Sequence, residues 1–222
     1  MKRSPFLVTN EIYHIFNKSI YNFVIFNSTE EFSRMRNVIK YYQLKTPPLK
    51  FNRFMELEVK QDDFDRCFSA SFLNHERIVQ IIAYCIMPTH IHVVLKQLVD
   101  NGISVYIGNV LNSYSKHFNA KHKRKGPLWE GKFKNVLVQT DEQLLHLTRY
   151  IHLNPSTAGI VDKPEHWNHS SYLEYLGEVE DVKMVSSCED LIEMLPVAYK
   201  EFVEDRISYQ RELNRIKNLI LE

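Results

Sequence analysis

Cysteine is scarce in this 222-residue sequence. Cys67, Cys85 and Cys188 are odd in number, widely separated and form no C-x-x-C pair, so a disulfide scaffold is not expected and a reducing compartment fits. Glycine and proline are also few, six and eight, which leaves turn punctuation sparse and excludes low-complexity chains. No apolar stretch approaches the ~20 residues of a membrane-spanning helix; the longest, such as 81–87, are strand-sized, and no membrane partner is expected. The opening residues, MKRSPFLVTNEIYHIF, lack an apolar core of signal-peptide length, so a cytoplasmic location is expected. Charge of one sign is missing too, since 28 Lys and Arg meet 27 Asp and Glu for a formal net charge of +1. What remains, 44% hydrophobic and 25% charged, is the balance of a globular chain long enough to bury a sizeable core.

Near-neutrality conceals a segregated charge pattern. Between 116 and 134, Lys116, Lys121, Lys123, Arg124, Lys125, Lys132 and Lys134 face a single acid, Glu130, with His117 and His122 among them. Between 174 and 193 the balance reverses, with seven acids against Lys183. The basic window reads either as a solvated loop or as a surface that attracts polyanions by counterion release.

Aromatic and β-branched runs at 13–17 and 21–26 predict short strands. Phe32, Met35, Val38 and Ile39 recur at helical spacing after a Ser28 or Thr29 cap, which predicts a helix over 29–42. Residues 45–74 begin with Pro47-Pro48 and mix aromatics with charges, reading as an inserted hairpin or a short helix with loops. Strands are expected at 78–87 and 91–95 around a Pro88-Thr89 turn, then a helix over 105–122, a strand over 133–138 and a helix from Asp141 to Asn154-Pro155. A short helix or turn follows at 170–176, then a polar, helix-rich extension over 178–222. Strands mixed with helices around an antiparallel hairpin give an α+β architecture.

His90 and His92, two apart on a strand, project from one face as a bidentate grip for a divalent cation. As a bare H-x-H they equally suit cross-strand histidines without a ligand. Tyr150 and Asn154, at i and i+4, share a helix face. A phenol attacks an electrophile when a cation polarises the target and its proton is taken up, and an amide oxygen suits a hard cation. Composition alone does not select Tyr150 from twelve tyrosines.

The stretch AYCIMPTHIHVVL (83–95) resembles the His-hydrophobic-His element of the HUH single-strand endonucleases. RYIHLNPSTAGIV (149–161) resembles the nucleophile helix of their one-tyrosine transposase branch, particularly the REP-associated tyrosine transposases. YHIFNKS (13–19), KGPLWEGKFK (125–134) and HWNHSSYLEYLG (166–177) are similar to the same group and in the same order. The resemblance spans about 10–177, with gaps around 45–74, and implies a transposase-like domain over 1–177, with an insertion at about 45–75, before the extension. The implied fold is a ferredoxin- or RRM-like domain with a central antiparallel sheet flanked by helices. The implied enzyme nicks and rejoins single-stranded or hairpin DNA using Mg²⁺ or Mn²⁺, as a monomer or homodimer. His90 and His92 are then metal ligands, Tyr150 the nucleophile that forms a 5′-phosphotyrosine, and Asn154 the third ligand.

In that reading Lys116, Lys121, Lys123, Arg124, Lys125, Lys132 and Lys134 track the DNA backbone. Trp129 and Phe133 either stack unpaired bases or pack in the core. Ser156-Thr157 and Asn17-Lys18-Ser19 depart from the family pattern where it commonly has a basic residue or Asn-Arg-Gly. His14, His152, His166 and His169 read as structural or loop residues. Two other classes compete: a non-catalytic nucleic-acid-binding module with an RRM-like sheet, and a zinc hydrolase built on the H-x-H, which lacks a third ligand at recognisable spacing.

Overall fold

In this computed structural model, residues 7–59, 63–72, 74–187 and 191–210 are described. Four strands, β1 (Ile12–Lys18), β2 (Val79–Met87), β3 (His90–Gln97) and β4 (Lys134–Val138), form one antiparallel sheet in the order β2-β3-β1-β4. Helix α1 (Thr29–Tyr41) connects β1 to β2, and α4 (Gly102–Lys121) connects β3 to β4. Each of these two connections skips a strand, which is the βαββαβ topology of ferredoxin-like domains.

Residues alternate between two buried sheet faces. Tyr13, Ile15, Ile91, Val93 and Leu95 pack beneath α1 and α4 with Met35, Val38, Ile107 and Val110. A bulge between Ile81 and Ala83 in β2 puts both Ile82 and Ala83 on the opposite face. There Cys85, Met87 and Val94 meet α5 (Asp141–Thr157), the short α6 (Tyr172–Tyr175) and α7 (Pro196–Glu204). Gly102 opens α4 directly against the Ile78 carbonyl, where a Cβ would collide with that oxygen.

Among its described residues the stretch 45–74 takes the second of its two expected forms, short helices with loops, and not a hairpin. It folds as α2 (Phe51–Phe54), a π-type turn over Met55–Val59 and α3 (Phe64–Phe72). Phe51, Phe54, Phe64, Phe68 and Phe72 gather around Tyr41, burial that single-sequence periodicity over such short helices does not display. The expected strand at 21–26 is absent. Ile20–Asn22 form a 3₁₀ turn in which Tyr21 and Asn22 are left-handed at φ 53°, and the chain from Phe23 runs extended without a ladder partner. Part of the extension beyond 177 packs on the domain: α7 inserts Tyr199 and Val203 beside α5, and Lys40 Nζ donates to the Val182 carbonyl at 2.6 Å. The expected final helical stretch, 211–222, lies outside the described residues. Among the described residues no helix is long and apolar enough to cross a membrane.

Candidate active site

The β2–β3 turn carries the histidine pair and is clamped from outside the sheet. Ile25 and Phe26 donate backbone N–H bonds to the Pro88 carbonyl at 2.9 and 3.1 Å, and Ser19 donates to the Thr89 carbonyl at 2.8 Å. His90 and His92 leave β3 on one face with ring centroids 5.1 Å apart. His90 Nδ1 lies 2.9 Å from Thr89 Oγ1, and His92 Nδ1 lies 2.8 Å from His14 Nε2 on β1. With both Nδ1 atoms engaged, the Nε2 atoms are the ones left for a ligand. Burial holds both imidazoles below the usual histidine range, helped at His92 by His14 and His90 and at His90 by Lys18. Neutral imidazoles are the ligating form.

The nucleophile candidate arrives from the other side of the chain. Helix α5 starts at the Thr140 cap, whose Oγ1 accepts from Gln143 N at 3.1 Å, while Gln143 Oε1 accepts from Gln139 N at 2.9 Å. Asp141 and Glu142 favour the same end electrostatically. The helix does not stop at Asn154-Pro155 as the sequence suggests. It runs to Thr157 and closes at Gly159, whose φ of 71° a side chain would resist, and Pro155 gives up one ladder bond without ending the helix. Leu144, Ile151 and Leu153 anchor α5 to the sheet. Tyr150 stands half exposed with its ring 6.0 Å from that of His92 and edge-on to it. Burial raises its phenol above the ordinary value and outweighs the opposing influence of the nearby Asn154 amide. Asn154 Nδ2 is buried without a hydrogen-bond partner, and a half-turn of that amide would put its oxygen there instead.

A cleft of about 430 Å³ opens beside the histidines, lined among others by Phe16, Lys18, His90, His92, Lys132 and Lys134. Of the seven expected DNA-contacting cations, only Lys132 and Lys134 line it. Lys116 lines a separate cavity with Tyr42 and Phe51, and Lys121 pairs with buried Glu31 at 3.4 Å. Arg124 sits 5.9 Å over the Phe23 ring and donates to Asn119 Oδ1 and the Pro127 carbonyl. Lys123 and Lys125 are exposed in the loop after α4.

Trp129 is a correction to the base-stacking alternative. It is 8% exposed, packs on Phe26 and Tyr114, and donates Nε1–H to Ser115 Oγ at 3.0 Å. Phe133 is half buried against the same core. The aromatic that is fully presented is Tyr21, 96% exposed and next to Asn22 on the cleft wall. His14 was the residue sequence reasoning passed over: its place depends on β1–β3 register, in which His14 pairs Val94 and Phe16 pairs His92. His152 is structural, its Nδ1 2.7 Å from Tyr199 Oη and its Nε2 2.8 Å from Ser171 Oγ.

Residues 59–154, which include His90, His92, Tyr150 and Asn154, match the family described as IS200-like transposases. Over those residues the chain is similar to that family. A putative REP-associated tyrosine transposase from Haemophilus influenzae is 27% identical over 104 residues, covering 42% of this chain and 58% of that protein. A solved REP-associated tyrosine transposase, bound to a REP hairpin, superposes with a TM-score of 0.53 at 13% identity, covering 84% of this chain and 92% of the other. At that identity the likeness shows the fold, a four-stranded antiparallel sheet with flanking helices.

Proposed function

We propose that the chain is a metal-dependent transesterase that nicks and rejoins single-stranded DNA at hairpin or palindromic repeats, through a 5′-phosphotyrosine link on Tyr150. One observation carries this reading: Tyr150 stands against His92 within a single chain, and His92 lines a cleft walled by Lys18, Lys132 and Lys134. One monomer therefore holds the nucleophile and both imidazoles, whether it acts alone or as a homodimer. Residues 1–177, with an insertion at about 45–75, are the transposase-like unit in this reading, and 178–222 an extension whose Tyr199 and Val203 pack on it. The free thiol of buried Cys85 accords with action in the cytoplasm.

The donor set suits Mg²⁺ or Mn²⁺. Two neutral imidazoles present Nε2, and Asn154 supplies a buried amide whose oxygen is a hard neutral donor. Among the described residues no three His, Cys, Asp or Glu groups converge on one position, so the third protein ligand would be Asn154. When bound, the cation would neutralise charge developing on the oxygens of the scissile phosphate. Lys132 and Lys134 hold the flanking phosphates. Tyr150 Oη loses its proton to solvent and attacks phosphorus, and the P–O3′ bond breaks. The departing 3′ oxygen takes up a proton, leaving a 5′-phosphotyrosine and a free 3′-hydroxyl. Attack by a 3′-hydroxyl on that link runs the exchange backwards and rejoins DNA without ATP.

A purely binding module using an open RRM-like sheet fits less well, because α5, α6 and α7 cover much of the face such a sheet would offer. The experiment is cleavage of end-labelled single-stranded hairpins with Mn²⁺. Cleavage that is lost with a chelator and in His92→Ala supports the reading. Salt-sensitive binding without cleavage across a broad hairpin library transfers the case to the binding module.

A further inference from the structure

The geometry points to His14 as a positioning residue that fixes the ring tautomer of His92 and so readies His92 Nε2 for a divalent cation. The inference rests on the proposed metal-dependent reading and deepens it. His14 sits on β1, diagonal to His92 across the β1–β3 ladder, and its ring lies nearly parallel to that of His92 with centroids 5.1 Å apart and planes 21° from parallel. Its Nε2 is 2.8 Å from His92 Nδ1, and exactly one proton can occupy that short nitrogen–nitrogen contact. If the proton resides on His92 Nδ1, His92 Nε2 is a bare lone pair; if it resides on His14, His92 must carry its own proton on Nε2 and cannot ligate. A ligating histidine ordinarily donates its second N–H to an acceptor that sets tautomer and ring angle. Here the acceptor is another imidazole.

The surroundings favour the ligating arrangement. Phe16 flanks both rings, at 5.0 Å from His14 and 5.9 Å from His92, so the pair lies against apolar surface that keeps its rotation narrow. His90 is arranged in parallel fashion, its Nδ1 engaged by Thr89 Oγ1. Both candidate ligands thus have a neighbour at Nδ1, and His14 is the one drawn from a different strand.

The test is Mn²⁺ titration of the full chain, reading free Mn²⁺ by electron paramagnetic resonance, for the wild type, His14→Phe and His14→Gln. Wild type is expected to bind, and His14→Phe to bind roughly 10- to 100-fold more weakly. His14→Gln, whose amide oxygen accepts the same proton, is expected to recover most of the affinity. Nitrogen-15 spectra of the wild type supply a reading independent of any substitution: the proton belongs on His92 Nδ1, with a coupling across the bond to His14 Nε2. Equal affinity in all three proteins, or a His92 proton on Nε2 in the Mn²⁺-free chain and no coupling, overturns the role of His14 while leaving the transesterase reading intact. A wild type that binds no Mn²⁺ overturns the metal-dependent reading itself.

Discussion

The proposed nucleophile, Tyr150, would attack as its phenolate, and its surroundings oppose that form. Burial raises its pKa, and among the described residues no carboxylate is placed to take its proton. At neutral pH the group is therefore protonated, and the reactive fraction rises about tenfold per pH unit below the pKa. Single-turnover cleavage is expected to climb with pH from 7 to 9; a rate flat over that range would show that another step limits. Trp129 and Tyr21 differ in burial and so in what each supports. Trp129→Ala removes a ring from the core beneath Tyr114 and is expected to lower stability by about 3–5 kcal/mol in urea unfolding. Tyr21→Ala removes nothing from the core. Tyr21 is held left-handed beside the cleft, a backbone arrangement that non-glycine residues adopt at a cost of ~1–3 kcal/mol and that clusters at functional sites. The substitution should leave the melting temperature unchanged and weaken single-strand binding by about 1–3 kcal/mol, measured by anisotropy. Unchanged binding would show that Tyr21 meets no base.

At the scale of elements, α5 has to be held at one height over the sheet for Tyr150 to meet His92. Its apolar side chains fix the face, and His152 fixes the position along the axis by bonding Tyr199 of α7 and Ser171 ahead of α6. Tyr199→Phe leaves a buried imidazole nitrogen unpaired and is expected to destabilise by about 1–3 kcal/mol, with cleavage falling alongside; full activity at unchanged stability would remove α7 from the site's support. Elements with a long, clean period were legible in the sequence. Helix α1 shows its apolar stripe through Phe32, Met35, Val38 and Ile39, and β2 and β3 show as apolar runs broken at Pro88-Thr89. The 21–26 segment departs from the expected strand because Tyr21 lies in an exposed turn, the Phe26 ring packs on Phe32 and Tyr114, and the Ile25 and Phe26 N–H groups bond the hairpin turn, a tertiary cause that β propensity cannot encode. His14 was passed over for a related reason. It lies 78 residues from His92, and only strand register joins them. Five stretches in order carried the resemblance, yet the approach of Tyr150 to His92 across sheet and helix is a property of the fold.

Over the whole molecule, burial has been extended to an unusual number of histidines. His152 is held down to about 3, and His14 and His169 to about 4, with His90 and His92 also lowered. In the unfolded chain each titrates near ~6.5. Below that pH the unfolded state binds protons that the folded state refuses, so stability falls as pH drops from about 6.5 toward about 4. Fully buried His152 alone accounts for about 2 kcal/mol at pH 5. The urea midpoint of the metal-free chain is expected to drop clearly between pH 7.5 and 5.0; equal midpoints would mean these rings protonate freely in the native state. The pattern of charge is likewise a property of the whole fold. A basic window that is contiguous in sequence is divided between the cleft, a separate cavity and a buried carboxylate. Lys132→Ala and Lys134→Ala are therefore expected to weaken hairpin binding more than Lys116→Ala does, and equal losses would restore the single basic track. The central claim is the covalent link itself. Incubating the chain with a single-stranded hairpin and Mn²⁺, denaturing, and mapping the protein–DNA adduct by peptide mass spectrometry tests it most directly. A nucleotide joined through its 5′-phosphate to Tyr150, and no adduct from Tyr150→Phe, is the predicted result; cleaved DNA with no adduct, or an adduct on another residue, would contradict it.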